Sequence, residues 1–228
     1  MVSDIIQTMW VGNKLSTMER LSLNSFVKNG HDVHLYTYSD VEGVPEGVEV
    51  KDGNAILPED MIFMYKDHKS YSAFSNYFRY KLLSEKGGYW VDTDVVCLKK
   101  FDFKTPFVFC SEEVLPLNQG NTHVGSCIIK MPAGNPIALD AFETCMEKKR
   151  EMLVWGEIGP RLVKQMVEKY SMNFFVKPPE TFCPIPGCMW NLVLNPEQEI
   201  KFGEETYAIH LWNEMWRRSN ADKDAAYP

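Results

Sequence analysis

The sequence has no long apolar run, no excess of basic residues and no C-x-x-C cysteine pair. Without an apolar stretch of about 20 residues, no transmembrane segment is expected. Lys and Arg number 24 against 31 Asp and Glu, which gives a net charge of −7. This acidic balance lacks the positive field that nucleic-acid binding needs, so nucleic acid is not an expected partner.

The first residues, MVSDIIQTMWVGN, have neither the basic start nor the long apolar stretch of a secretory signal. The sequence therefore predicts a cytoplasmic protein. The alternative location is peripheral, at a membrane surface, through exposed aromatic residues near Phe63 and Tyr65.

Six cysteines are scattered along the 228 residues. A chain of this length can bury enough surface to fold without disulfides, so we expect the cysteines mainly as small buried apolar residues. His123 and Cys127 have the spacing of metal ligands on a helix, but the apolar residues around them favour a strand. Zinc is therefore disfavoured at this pair.

Predicted strands and helices alternate along the chain. Residues 4–11 and 32–38 are typical of buried strands. Between them, Ser16 and Glu19 form a capping box before a helix that Gly30 would end. A strand, a helix and a second strand in this order indicate parallel pairing with a right-handed crossover.

Further elements follow from glycine, proline and capping residues. One helix is predicted over 72–86, a second begins at 135–136, and a third runs from 160 to about 170. Strands are predicted at 48–50, 89–91, 95–98, 106–111, 125–131 and 206–211. The chain has no internal repeat and no low-complexity linker. One α/β domain over residues 1–228 is therefore expected.

The predicted helix over 72–86 carries a polar stripe on an otherwise apolar surface. At about 100° per residue, Ser72, Ser75, Asn76 and Arg79 fall on one line. The polar side chains of a mostly buried helix need hydrogen-bonding partners or opposite charges elsewhere in the protein. Two interpretations stay open: Arg79 pairs with a carboxylate in the core, or it faces a polar or anionic ligand.

Two carboxylates, Asp92 and Asp94, follow the glycine pair and the short strand after this helix. Strand alternation would point both to the same side. Buried carboxylates are unfavourable without a compensating cation, and a divalent metal with oxygen ligands is the simplest one. Ligands of open α/β sheets bind at the carboxyl ends of strands. The sequence therefore predicts a divalent metal held by Asp92 and Asp94.

The block FSNYFRYKLLSEKGGYWVDTDV resembles the signature of sugar-nucleotide glycosyltransferases of the GT-A fold. It most resembles family 32, with its α-1,4-galactosyl- and α-mannosyltransferases, and is similar to the glucosylating bacterial toxins. The segments IIQTMWVGN, WGEIGPRL and YAIHLWNEMW resemble further elements of that family in the same order.

This resemblance implies a single GT-A (Rossmann-like) domain, with a central mixed, mostly parallel sheet flanked by helices. A nucleotide-sugar half would span about 1–100 and an acceptor half about 101–228. The implied enzyme is a hexosyltransferase that uses Mn²⁺ or Mg²⁺.

The resemblance also implies roles for individual residues. Trp10 takes the position that stacks on the nucleobase, and Arg79 the position that contacts the sugar nucleotide. The implied nucleotide-sugar contacts are Thr8, Trp10, Asn13, Asn76, Arg79, Asp92, Trp212 and Asn213. The implied metal ligands are Asp92, Asp94 and His210, and the implied catalytic residues are Asp94 and Glu157.

Two of these positions have a competing interpretation. Asn76 departs from the family pattern, which has Asp there, and an amide accepts a hydrogen bond without carrying charge. The departure leaves the donor sugar and the activity open. Glu157 would be a carboxylate near the anomeric carbon or the acceptor, but Glu is most often a surface residue.

The implied reaction transfers a sugar from a UDP- or GDP-sugar to a hydroxyl of a glycan, a lipid-linked glycan or a protein, with retention, in glycan or polysaccharide synthesis. Asn118, Gln119, Asn121 and His123 would lie on the acceptor side. Two other functions stay open: a phosphohydrolase or nucleotidyltransferase with the same D-x-D, and a sugar-nucleotide-binding protein without activity.

Overall fold

The structure is a computed structural model that describes residues 4–66, 68–115, 121–195 and 197–225. Its strands are β1 (Ile6–Trp10), β2 (Val33–Thr37), β3 (Val48–Asp52), β4 (Gly88–Val91), β5 (Val95–Cys97), β6 (Val108–Glu113), β7 (Thr122–Met131) and β8 (Ala208–His210). Its α-helices are α1 (Thr17–Lys28), α2 (Ser72–Lys86), α3 (Pro136–Glu147), α4 (Pro160–Lys169), α5 (Pro179–Phe182) and α6 (Asn213–Arg218).

The helix boundaries follow the predicted local signals. The Glu19 carboxylate accepts a hydrogen bond from the Ser16 N–H at 2.8 Å, which closes the capping box of α1. The Asn135 side chain accepts from the Ala138 N–H at 2.9 Å and caps α3. Helix α2 ends at Gly87, where φ is +63° and an added Cβ would lie 2.3 Å from the Ala133 nitrogen. Only glycine fits this turn.

A six-stranded sheet with the order β3-β2-β1-β4-β7-β6 forms the centre of the fold. Strands β3, β2, β1 and β4 are parallel, whereas β7 pairs antiparallel with both β4 and β6. The predicted α/β class with a mixed, mostly parallel sheet is thereby confirmed.

Alternate residues of the sheet face two different apolar cores. Trp90 and Ile129 pack into a core shared with α2, α3 and α4, whereas Tyr89 and Ile128 pack into a core shared with α1, α5, β5 and β8. Helices therefore cover both faces of the sheet, as expected when its strands are buried on both sides.

A second, two-stranded sheet joins β5 and β8 in antiparallel register. Val95 pairs with His210 in this sheet. The pairing brings a residue near the end of the chain to the segment that follows β4, and this sheet thereby positions part of the functional site.

The structure corrects one expectation and supports another. Tyr65 is only 4% exposed and Phe63 packs against the first core, so the proposed exposed aromatic surface at these residues is wrong. Five cysteines are buried and Cys188 is exposed, with every thiol free, as expected for small apolar residues. Among the helices of the described residues, none is long and apolar enough to cross a bilayer.

The predicted acceptor-side segment is only partly visible. Asn118 and Gln119 lie outside the described residues. His123 lies on β7, as the strand pattern predicts, and its Nε2 pairs with the Glu112 carboxylate of β6. It is therefore not paired with Cys127 as a zinc ligand.

Candidate functional site

A cavity of about 920 Å³ opens where β1 and β4 end. In an open α/β sheet, this edge is the usual place for a ligand. The walls come from β1, from α2, from the turn after β4 and from the segment between residues 210 and 224. The whole predicted polar stripe of α2 faces this cavity: Ser72, Ser75, Asn76 and Arg79.

The two carboxylates of the D-x-D sequence lie in a turn after β4. Strand β4 ends at Val91, and the Asp92 carbonyl accepts a hydrogen bond from the Val95 N–H at 3.2 Å. Strand alternation is therefore the wrong reason for their common direction. The turn nevertheless brings both Asp92 and Asp94 to the cavity wall.

Asp92 and Arg79 form an ion pair at this wall. Arg79 Nη2 lies 2.7 Å from Asp92 Oδ1, and Trp90 Nε1 donates to the same oxygen at 2.7 Å. Arg79 Nη1 also donates to the side-chain amide oxygen, Oδ1, of Asn76. The first interpretation from the sequence is confirmed, because Arg79 pairs with a carboxylate. Arg79 also lines the cavity, and a polar or anionic ligand there stays a prediction. Asn76 orients the guanidinium through a neutral oxygen.

Burial dominates the electrostatics of Asp92. Removal from water raises the pKa of its carboxyl, and the nearby Asp94 carboxylate raises it further, against the opposing effect of Arg79. Oδ2 of Asp92 takes no hydrogen bond within the described part of the chain. This oxygen is available to a cation, which would offset the unfavourable burial of charge.

Asp94 is held by the C-terminal segment. His210 Nε2 lies 3.3 Å from Asp94 Oδ2, and the Asn213 N–H donates to the same oxygen at 2.8 Å. Although burial raises the pKa of Asp94, the His210 charge and these hydrogen bonds lower it. Burial also lowers the pKa of His210, but the Asp94 and Asp92 carboxylates outweigh it and raise that pKa to about 9.

Asp92, Asp94 and His210 offer ligand atoms that all lie within 4.8 Å of one another. Two carboxylate oxygens and one imidazole nitrogen suit a divalent cation such as Mn²⁺. The residues therefore fit the metal that the sequence predicts. A cation held at this position would displace the proton that His210 holds near neutral pH, because an imidazole must be neutral to ligate.

Trp212 packs beside the metal-binding cluster. Its backbone has a φ of +59°, and the centre of its ring lies 4.1 Å from the centre of the His210 ring. Trp212 Nε1 donates to the Ile185 carbonyl oxygen at 2.8 Å, which fixes the ring plane. Asn213 then begins α6 and also lines the cavity. The left-handed backbone conformation is unfavourable for a residue with a large side chain, unless surrounding contacts hold that residue in place.

The other end of the cavity is formed by β1. Trp10 lines it, with Lys223 Nζ 5.7 Å from the ring centre and Trp10 Nε1 bonded to the Lys14 carbonyl oxygen at 3.1 Å. Thr8 Oγ1 is buried in the same wall and has no hydrogen-bond partner among the described residues. A flat aromatic face with an available hydroxyl beside it suits a planar, polar ligand group.

Two predicted site residues do not reach the cavity. Asn13 is exposed in the loop after β1, where its carbonyl oxygen accepts from the Glu42 N–H at 2.8 Å. The Glu157 carboxylate accepts from Lys148 Nζ at 2.8 Å and from the Val154 N–H at 3.1 Å. These hydrogen bonds therefore direct the Glu157 carboxylate toward nearby residues of the same chain rather than toward the cavity.

No sequence pattern pointed to Glu112, which does line the cavity. The register between β6 and β7 shifts between Phe109 and Ser111, just before this residue. Such irregularities re-aim the side chains that follow them. Glu112 is 13% exposed and pairs with His123 on β7, directly across the strand pair.

Comparison with known families decides what this site belongs to. Residues 17–114 match the glycosyltransferase sugar-binding region containing a DXD motif, and residues 134–227 match the alpha 1,4-glycosyltransferase conserved region. The chain belongs to the family that carries these two regions, and the predicted resemblance is thereby confirmed. Its D-x-D is Asp92-Thr93-Asp94.

Individual relatives match part of the chain. Lactosylceramide 4-alpha-galactosyltransferase of Mus musculus is 26% identical over 163 residues, which cover 59% of this chain and 39% of the relative. The Homo sapiens protein of that name is 32% identical over 74 residues, 26% of this chain and 21% of the relative. The chain thus matches less than half the length of these relatives.

A solved structure supports the fold of the chain. The PaToxG glycosyltransferase matches with a TM-score of 0.51 and 18% sequence identity, covering 74% of this chain and 70% of that chain. At this identity the likeness concerns the fold alone.

Proposed function

We propose that the chain transfers a hexose from a UDP- or GDP-sugar to an acceptor hydroxyl, with retention and with Mn²⁺ or Mg²⁺. The observation that carries this proposal is the cluster of Asp92, Asp94 and His210 on the wall of a cavity large enough for a nucleotide sugar. A D-x-D region generally implies a divalent cation, and these residues fit one. The bound cation supplies charge neutralisation to the departing diphosphate.

The remaining cavity residues bind and orient the donor in this proposal. Trp10 offers its ring to the nucleobase, and the free Thr8 hydroxyl lies in the same wall. The guanidinium of Arg79, held by Asn76 and Asp92, presents fixed donors to the sugar diphosphate. Trp212 and Asn213 then cover the diphosphate from the C-terminal side.

The acceptor and the cellular setting belong to the same proposal. The donor half spans about 1–100 and the acceptor half about 101–228 of one domain. Acceptors are glycans, lipid-linked glycans or proteins in glycan or polysaccharide synthesis, and the cytoplasm or its membrane surface is the location. Because the relatives are named as 4-alpha-galactosyltransferases, UDP-galactose is the first donor to test.

A thermal-shift panel of UDP- and GDP-sugars tests the proposal. A donor at about 100 times its Kd adds about 2.7 kcal/mol to the free energy of unfolding. For a chain of this size, that corresponds to a melting temperature about 5–10 °C higher. We expect one donor to give this shift with Mn²⁺ and to lose most of it with EDTA. No shift with any donor contradicts the proposal, whereas a shift without turnover on any acceptor favours a binding protein without activity.

We further propose Glu112, rather than Glu157, as the carboxylate that receives the proton of the acceptor hydroxyl. A positioned general base contributes about 10²–10⁴-fold to the rate. Glu112→Gln is expected to lower the turnover number about 100-fold or more, without changing the donor-induced thermal shift. Glu157→Gln is the matched control, because it removes a carboxylate on the same chain outside the cavity. If Glu157→Gln lowers the turnover number and Glu112→Gln does not, Glu157 is the proton acceptor and the proposal for Glu112 is wrong.

A further inference from the structure

Three cysteine thiols lie together beside the site, outside the cavity wall. Cys127 Sγ on β7 is 3.5 Å from Cys110 Sγ on β6 and 3.6 Å from Cys183 Sγ, just after α5. All three side chains are buried, at 4%, 0% and 1% exposure. Besides filling apolar volume, sulfurs this close together can act as soft ligands for one metal ion.

His210 connects this thiol cluster to the cavity. One of its ring nitrogens lies within 4.8 Å of the sulfurs of Cys127 and Cys183, which also lie within that distance of each other. Nε2 of His210 faces Asp94, whereas Nδ1 is buried and has no hydrogen-bond partner among the described residues. Nδ1 is therefore the ring nitrogen left for a further ligand.

We propose that Cys127, Cys183 and His210 bind a thiophilic divalent cation of the Zn²⁺ class. Zinc bonds sulfur at about 2.3 Å in a tetrahedron, which places two ligating sulfurs about 3.8 Å apart. The observed separation of 3.6 Å between Cys127 Sγ and Cys183 Sγ needs only a small side-chain movement to reach that value. A disulfide needs an S–S length of about 2.05 Å and a much closer approach.

The site differs in chemistry from the D-x-D cluster that shares its histidine. Thiolates select soft cations, whereas Asp92 and Asp94 offer the hard oxygens that suit Mn²⁺ and Mg²⁺. Binding at the thiol site breaks the S–H bonds of the ligating cysteines, forms metal–sulfur bonds and releases those protons to solvent. One imidazole can serve both clusters, because its Nε2 faces Asp94 and its Nδ1 is left for the thiol site.

Titration of the reduced, chelator-treated protein with Co²⁺ alone tests the site. We expect one equivalent to produce an intense thiolate-to-cobalt charge-transfer band in the near ultraviolet that Zn²⁺ removes, whatever Co²⁺ binds at the oxygen ligands of the D-x-D cluster. The band is expected to be lost in Cys183→Ala and in Cys127→Ala. It is expected to persist in Cys145→Ala, the matched control, because Cys145 is equally buried in the other core.

Two further measurements keep the result interpretable. Asp94→Asn should keep the band, because Asp94 is not a ligand of the thiol site; failure of the proposed enzyme function would therefore leave this result standing. X-ray absorption at the zinc edge of the wild-type protein needs no variant, and should give at least two sulfur ligands. Absence of the cobalt band, its persistence in Cys183→Ala, or a shell of oxygen and nitrogen alone overturns the proposal.

Discussion

Asp94→Asn is expected to lower the rate of sugar transfer by about 10²–10³-fold, the loss typical of removing one electrostatic contact to a developing negative charge. Asn keeps the shape of the side chain and one oxygen for the Asn213 N–H, which Asp94 accepts at 2.8 Å. It removes the charge that raises the pKa of His210. The amide therefore weakens cation binding at the carboxylate position while sparing the turn.

The measurement is the initial rate with Mn²⁺ and the donor identified by thermal shift. Asp140→Asn is a suitable control, because Asp140 lies away from the cavity and pairs with Lys169 Nζ at 2.6 Å. That variant should stay within about twofold of the wild type, since exposed ion pairs contribute little. Full turnover of Asp94→Asn in the presence of EDTA would exclude the metal proposal.

Local signals in the sequence were sufficient for much of the framework. The capping box at Ser16, the Asn135 cap and the glycine after α2 each act within a few residues, and the helices begin or end where these signals predict. The D-x-D was visible for the same reason, because its carboxylates immediately follow a buried strand. The direction of the carboxylates was not, since it depends on a turn that strand alternation does not describe.

The remaining site depends on contacts between distant parts of the chain. His210 reaches Asp94 because β8 pairs with β5, and only the family resemblance pointed to it. Glu112 reaches the cavity because the β6–β7 register shifts beside it, which no residue pattern encodes. Glu157 failed to reach it because Lys148 and the Val154 N–H hold its carboxylate elsewhere. Charge type can be predicted from sequence, but loop direction follows from tertiary hydrogen bonds.

Arg79→Met is expected to lower the free energy of unfolding by about 3 kcal/mol or more. Met fills the volume of the aliphatic part of Arg79. It leaves the largely buried Asp92 carboxylate without the positively charged guanidinium that it pairs with. Removing one partner of a buried ion pair costs about 3–5 kcal/mol for this reason. The Arg79 side chain is 4% exposed and Asp92 25%, which places the expected loss toward the lower end. Urea denaturation followed by circular dichroism measures it.

The double variant Arg79→Met/Asp92→Asn separates the unpaired charge from lost packing. If the isolated carboxylate causes the loss, neutralising Asp92 should recover part of the stability, so the double variant should unfold at higher urea than Arg79→Met alone. Arg161→Met is the surface control, expected within about 0.5 kcal/mol of wild type, since Arg161 is exposed. A double variant less stable than Arg79→Met would contradict this account, because it would show that the Asp92 carboxylate still stabilises the fold through other contacts, such as the hydrogen bond from Trp90 Nε1 at 2.7 Å.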